Sequence, residues 1–147
     1  MNENSLIGYV KVYDYATCSF KQRLPSSFVS NGLVQNSEEW WRAIAIGNIE
    51  THWISGPLTR IWIGPPYMTA RYRVGKGKSK FVSVRLGEPD ELYRVGNQIR
   101  IKYAIVQART PRRWPDGTLC EFSQGFPCVL EEWIKPEPDV TAASLTL

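Results

Sequence analysis

The sequence predicts a mainly β protein: a single-domain antiparallel β-barrel or strongly curved sheet of about seven or eight strands, with one short helix. Three observations predict this class. Runs that alternate between apolar and polar residues recur at short spacing, turns rich in Gly and Pro separate them, and the connections are too short for parallel crossovers. The 147 residues suit one domain. We assign residues 1–134 to that domain and residues 135–147 to a flexible C-terminal tail.

The chain before the helix contains two predicted strands. Residues 6–15 alternate tyrosines and one lysine with valines, which is typical of a strand with two unlike faces. Residues 33–34 are expected to form only a short edge strand, because Pro25, Asn31 and Gly32 interrupt any longer element before them.

One helix is predicted over residues 37–46. Ser37 can cap it, since its hydroxyl can accept a hydrogen bond from a free amide of the first turn, and two glutamates follow where the helix dipole favours negative charge. Trp40 and Trp41 lie at helical spacing with Ile44, which indicates that both indoles pack in the core. A helix of about nine residues is unstable alone in water, so this one must pack on the sheet.

Further predicted strands follow the helix at residues 49–54, 58–63, 67–74, 79–86, 98–108, 119–123 and 128–134. Glycines at residues 75–78 suit a tight hairpin between two of them. The strand at residues 98–108 is expected to keep one register throughout, with Ile105 in its apolar row. The Pro115-Asp116-Gly117 sequence predicts a turn, because proline presets φ, aspartate caps the turn and glycine accepts a positive φ.

Positive charge is concentrated in the central part of the chain. Residues 57–113 contain 13 Lys/Arg and 3 Asp/Glu, a net charge of +10, whereas the rest of the chain carries −6. The total charge of +4 and the pI near 9.0 favour polyanionic partners, nucleic acid above all.

Alternation sorts the strands of this basic segment into two faces. Each strand has one mainly apolar row and one row with basic residues, so neighbouring strands would gather two aromatic rings and six cations on one face. Like charges repel on a sheet, and phosphates would relieve this repulsion while bases stack on the rings. We therefore predict a nucleic-acid-binding module that favours single-stranded nucleic acid or RNA. Its predicted binding residues are Arg60, Trp62, Arg71, Arg73, Lys76, Lys78, Phe81, Arg85, Arg100, Lys102, Arg112 and Arg113.

Other interpretations fit the same residues. The basic rows could be a solvated face paired with acids such as Glu131 and Glu132, or could bind an acidic protein partner. A barrel of about eight strands could hold a small molecule in its mouth. A metal-independent enzyme, such as a ribonuclease, could use arginines for phosphate charge and a tyrosine or His52 for proton transfer.

No catalytic or metal-binding motif is recognisable, and we predict no catalytic residue, metal or cofactor. The glycine-rich linker lacks the spacing of a phosphate-binding loop, and His52 is the only histidine. Cys18, Cys120 and Cys128 lack the close spacing of a zinc site or a disulfide framework. With no apolar run typical of a signal peptide or a membrane helix, the sequence predicts a cytoplasmic protein with reduced thiols and no membrane contact.

Overall fold

The computed structural model describes residues 6–17, 26–65 and 68–137, which form one open antiparallel sheet of eight strands and a two-turn helix. The strands are β1 (Val10–Asp14), β2 (Phe28–Ser30), β3 (Leu33–Val34), β4 (Thr51–Gly64), β5 (Thr69–Val74), β6 (Phe81–Val84), β7 (Gln98–Ala108) and β8 (Phe126–Lys135), and the helices are α1 (Glu38–Ala45) and the single turn α2 (Glu121–Gln124). The sheet order is β1-β8-β7-β4-β5-β6, and β2 pairs with β3 and β7. The predicted mainly β class with one short helix is confirmed.

The chain packs into two compact units. Unit 1 consists of Met1–Tyr13, Ile54–Ile101 and Glu131–Leu147, and unit 2 consists of Asp14–Trp53 and Lys102–Leu130. Both units bury apolar side chains from their own strands.

The core of unit 1 is built from the inward rows of its strands. Leu58, Tyr72, Ile99, Ile101 and Ile134 are each at most 1% exposed. Successive side chains on a strand point to opposite faces. The basic residues that flank these core residues are therefore directed outwards.

The helix of unit 2 begins as the sequence predicts. Ser37 is the N-cap of α1, and its Oγ accepts a hydrogen bond from Trp40 N at 3.2 Å. Trp40 is fully buried, its Nε1 donates to Ser30 Oγ at 3.1 Å, and Ser30 Oγ donates in turn to Ile105 O at 2.6 Å. The predicted core position is confirmed for Trp40, whereas Trp41 is half-buried.

The structure differs from the predicted elements in three places. β4 is one strand of 14 residues rather than two strands separated at Gly56-Pro57. Pro57 is exposed, and its carbonyl accepts from Gly75 N at 3.1 Å, so the strand continues although proline has no N–H to donate. Residues 119–123 lead into α2 instead of forming a strand. β2 was not predicted, because three residues are too few for an alternation signal.

β7 matches the predicted strand in its bounds but not in its faces. Ile99 and Ile101 are buried, and the buried row then continues with Ala104 and Val106 while Ile105 is 45% exposed. The prediction that Ile105 belongs to the apolar row is therefore wrong. A shift of one residue moves every later side chain of the strand to the opposite face of the sheet. Residues 103–106 are all apolar, so their sequence does not show where such a shift occurs.

Part of the predicted tail contacts unit 1. β8 extends to Lys135, and the backbone N–H of Glu137 donates to Asn97 Oδ1 at 3.0 Å. The rest of the predicted tail, residues 138–147, lies outside the described residues.

Candidate functional site

Three neighbouring strands of unit 1 carry the centre of the predicted basic surface. The register pairs Arg60 with Arg73, and Trp62 with Arg71, across β4 and β5. Across β5 and β6 it pairs Arg73 with Val82, and Arg71 with Val84. Directly opposed residues share a face of the sheet. We call this outer surface the arginine face, and it consists of Arg60, Trp62, Arg71, Arg73, Val82 and Val84.

A β-bulge at Thr59 produces the arginine face. Leu58 is buried in the core, yet Arg60, two residues later, pairs with Arg73 on the outer face because the register shifts between them. An extra residue reverses the parity of a strand. Thr59 Oγ1 accepts from Arg73 Nε at 2.9 Å and donates to Gly75 O at 2.6 Å. These bonds hold the Arg73 side chain beside the bulge.

The arginine face carries unbalanced positive charge. Within residues 6–17, 26–65 and 68–137, no carboxylate lies within 4.0 Å of Arg60, Arg71 or Arg73. Arg60 and Arg73 are directly opposed, an arrangement in which like charges destabilise a sheet. The Arg71 Nε is buried and has no hydrogen-bond partner in the same ranges. The Arg60 guanidinium lies 4.4 Å from the ring centroid of Trp62, a cation–π distance.

All six side chains of the arginine face reach solvent. Arg60 and Val82 are exposed, and the other four are half-buried. Trp62 lies against Gly64, where an added Cβ would be 3.1 Å from the indole. The absence of a side chain at Gly64 therefore leaves room for the ring on the sheet surface.

Two residues predicted for this surface lie on the other side of the sheet. Phe81 pairs with Val74 on the core face. Arg85 turns towards Tyr93, with its guanidinium 4.8 Å from the ring centroid and its Nη2 2.5 Å from Asp90 Oδ1. Their predicted place on the basic face is wrong. The positive charge of Arg85 predicted a place in the outer row of β6, but Arg85 forms an ion pair with nearby Asp90. The outer row of β6 consists instead of Val82 and Val84.

The other predicted binding residues of unit 1 lie outside the outer rows of β4, β5 and β6. Lys76 and Lys78 are exposed in the loop that joins β5 to β6. Arg100, on β7, is half-buried, and its guanidinium lies 4.8 Å from the ring centroid of Tyr9.

Three predicted residues belong to unit 2. Lys102 Nζ lies 6.0 Å from the ring centroid of Trp53. Arg112 and Arg113 are exposed in a loop closed by the predicted proline–aspartate–glycine turn, whose glycine has a φ of +92°. Trp114, in the same loop, is 56% exposed, which is unusual for an indole. The two arginines predict that this loop belongs to a binding surface, but nothing in the sequence predicts that the Trp114 indole is exposed.

Unit 1 contains a buried cluster of one carboxylate and two tyrosines that the sequence does not predict. Glu132 is 0% exposed and accepts hydrogen bonds from Tyr72 Oη at 2.6 Å and Tyr93 Oη at 2.5 Å. Burial raises the pKa of Glu132, and the hydrogen bonds from the two tyrosines partly offset the rise. The signal in the sequence is positional, since Glu132 occupies the apolar row of β8 between Leu130 and Ile134.

The contacts of Glu131 and Glu132 test the alternative in which these acids pair with the basic rows on a solvated face. Glu132 bonds to tyrosines and not to the basic rows. Glu131 Oε1 lies 3.8 Å from Lys11 Nζ and accepts from Trp133 Nε1 at 2.8 Å. Neither glutamate has an ion pair with the arginine face in the described part of the chain.

His52, one candidate for proton transfer, has no carboxylate within hydrogen-bond distance among the described residues. His52 stacks on Tyr103 with a centroid distance of 5.1 Å, and its Nδ1 lies 3.9 Å from Glu50 Oε1, too far for a hydrogen bond. The described ranges contain no group of three or more His, Cys, Asp or Glu that could hold a metal ion. Cys120 and Cys128 are free thiols, and burial raises the pKa of Cys128 to about 11.

No protein-family model matches the sequence, and no curated protein matches it significantly. In the part of the chain that the structure describes, no helix combines the length and the apolar character needed to cross a membrane. The geometry of the arginine face is therefore the main indication of function.

Proposed function

We propose that the protein binds single-stranded nucleic acid through the arginine face of unit 1. The observation that carries the proposal is the pairing of Arg60 with Arg73, and of Trp62 with Arg71, on a sheet surface that reaches solvent. Adjacent guanidinium groups without carboxylates repel one another in the free protein. A bound polyanion relieves this repulsion, and the release of its counterions adds to the affinity.

The arginine face suits the two chemically different parts of a nucleotide strand. Arg71 and Arg73 lie two residues apart on β5, about 7 Å along the strand, and their guanidinium groups can bind phosphates. Arg60 and Trp62 form a stacking platform, because bases stack on both indole rings and guanidinium planes. A duplex keeps its bases stacked inside, so this platform favours single strands.

Two further groups of residues support the same function. Lys76 and Lys78 are exposed on the β5–β6 loop and add positive charge to unit 1. In unit 2, Arg112, Arg113 and the exposed Trp114 repeat the combination of cations with an aromatic ring. We expect the lysines to contribute mainly to the salt-dependent part of the affinity.

The proposal predicts a salt-dependent preference for single strands. Fluorescence anisotropy would compare labelled single-stranded RNA, single-stranded DNA and a duplex at several salt concentrations. Arg60→Ala combined with Arg73→Ala should weaken binding and reduce the slope of log K against log salt by about 0.7, the value for the one phosphate contact on a single strand that is lost with Arg73. Trp62→Ala should cost about 1–3 kcal/mol of binding free energy with little change in that slope.

A matched control separates the arginine face from total charge. Arg42→Ala combined with Arg94→Ala removes two positive charges at exposed positions outside the arginine face, and we expect near wild-type binding. Equal losses in the two double variants, or no binding at low salt, would overturn the proposal. An acidic polypeptide that binds the arginine face more tightly than nucleic acid would instead support the protein-partner alternative.

A further inference from the structure

Unit 2 contains a cleft of about 580 Å³ on the side of β7 that pairs with β2. Its lining includes residues 26–28 and residues 108–110, together with Arg112, Cys120 and Ser123. Clefts of this volume are typical of sites for small molecules.

The described lining of the cleft is positively charged. Two arginines, Arg109 and Arg112, line it, and no carboxylate is among the lining residues that the structure describes. Both arginines are exposed, and within the described ranges no carboxylate lies within 4.0 Å of either. Ser27 and Thr110 add two hydroxyl groups to the same lining. Guanidinium and hydroxyl donors without an acid are the groups that bind phosphate.

The cleft also has an aromatic wall. The Phe28 ring lines it and packs edge to face on Phe126, with a centroid distance of 4.9 Å. Ala108 is paired directly with Phe28 and lines the same cleft with a small side chain. A planar base that packs on Phe28 therefore lies in the same cleft as the two arginines.

Hydrogen bonds fix the backbone that carries the two arginines. Arg109 N donates to Ser27 O at 2.8 Å, and Arg112 N donates to Ser123 Oγ at 2.8 Å. Cys120 N donates to Arg112 O at 2.9 Å. A cleft held in place in this way loses little conformational freedom when a ligand binds.

We propose that this cleft binds a phosphate monoester attached to an aromatic base. Arg109 and Arg112 bind the phosphate, Ser27 and Thr110 donate hydrogen bonds to it, and the base packs on Phe28. The ligand is either a free nucleoside monophosphate or the 5′-phosphorylated end of a nucleic-acid strand. This site belongs to unit 2 and does not depend on the arginine face.

Isothermal titration calorimetry with AMP, adenosine and inorganic phosphate tests the site. AMP should bind at least tenfold more tightly than either adenosine or phosphate, because only AMP engages both the arginines and the ring. Arg109→Ala combined with Arg112→Ala should weaken AMP binding at least tenfold. Arg60→Ala combined with Arg73→Ala should leave AMP binding unchanged, even where it abolishes binding of an oligonucleotide without a 5′ phosphate. The variant at Arg60 and Arg73 therefore tests the arginine face, and the variant at Arg109 and Arg112 tests the cleft, so the two proposals can fail separately.

Amide chemical shifts of the wild-type protein provide a measurement that does not depend on a variant folding. AMP should shift the amides of Ser27, Thr110 and Ser123. In the background of Arg60→Ala with Arg73→Ala, a 5′-phosphorylated oligonucleotide that causes the same shifts identifies strand ends as ligands, whereas shifts with AMP alone identify free nucleotides. No AMP binding at millimolar concentration, shifts confined to other residues, or unchanged affinity in the Arg109 and Arg112 double variant would overturn the proposal.

Discussion

Glu132 binds two tyrosines in the core of unit 1. Its carboxylate has no solvent exposure, and within the described ranges no cation lies within 4.0 Å of it. Hydroxyl donors therefore take the place that water or a salt bridge would have around a carboxylate. Tyr93 Oη also accepts from Gly87 N at 3.1 Å, so the cluster connects β8 to the segment that follows β6.

Glu132→Ala should strongly destabilise the protein. The substitution leaves the buried hydroxyl groups of Tyr72 and Tyr93 without their acceptor, at about 1–3 kcal/mol for each. Chemical denaturation measures the change in the free energy of unfolding. Glu131→Ala is the matched control, since that neighbour is partly exposed: its contact with Lys11 is worth about 0–1 kcal/mol, and its hydrogen bond from Trp133 about 0.5–1.5 kcal/mol.

A second substitution tests the cause of this loss. Tyr72→Phe should destabilise the wild-type protein, because it removes a hydrogen bond to Glu132. In the Glu132→Ala background it should stabilise the protein, because it removes an unsatisfied hydroxyl. If Tyr72→Phe has the same sign in both backgrounds, the hydrogen-bond explanation is wrong.

Among the secondary-structure elements, those with local signals could be predicted from the sequence. Ser37 and the two glutamates after it mark the start of α1, and glycine and proline mark the turns. The bulge at Thr59 and the change of parity in β7 arise from pairing with neighbouring strands, and a single strand's alternation does not record them. The same limit explains Phe81, whose face depends on the register of β6 against β5.

The segment after β6 and strand β1 approach each other closely at Gly87. A Cβ there would lie 2.7 Å from Val12 O, a backbone atom, and would also collide with Tyr93 Oη. Gly87→Ala should therefore destabilise the protein by about 1–3 kcal/mol, as overpacking in a core does. Thermal or chemical denaturation measures this loss.

A double-mutant cycle with Tyr93→Phe identifies the colliding atom. Removing the Tyr93 hydroxyl relieves one of the two collisions, so Gly87→Ala should be less destabilising in the Tyr93→Phe background. An unchanged effect would assign the collision to the Val12 carbonyl alone. A neutral Gly87→Ala in the wild-type background would contradict the close approach.

At the scale of the whole molecule, the sequence predicted the class of fold and the strand rows of Arg60, Trp62, Arg71 and Arg73. The charge of residues 57–113 indicated a basic surface, but composition does not tell an arginine on an open face from one paired locally, such as Arg85. Nor does it predict that the described residues divide into two compact units. These features depend on contacts between residues far apart in the chain.

The buried cluster makes the stability of the whole molecule depend on pH. Burial raises the folded-state pKa of Glu132 above its ordinary value of 4.5, and those of Tyr72 and Tyr93 above 10.0. A raised pKa means that the folded protein keeps a proton that the unfolded chain has lost. The free energy of unfolding therefore falls as pH rises, first above pH 4.5 through Glu132 and again above pH 10.0 through the tyrosines.

Alkaline titration tests the tyrosine part of this dependence. Two of the seven tyrosines should ionise only when the protein unfolds, because desolvation disfavours tyrosinate in the core and the Glu132 charge opposes a second negative charge. Tyrosinate absorbance and tryptophan fluorescence, followed together above pH 10, should show those two ionisations coinciding with loss of the fold. In Tyr72→Phe combined with Tyr93→Phe, the steep alkaline loss of stability should become shallower, since the groups that link protons to folding are gone. Reversible ionisation of all seven tyrosines in the folded wild-type protein would contradict the buried geometry of the cluster.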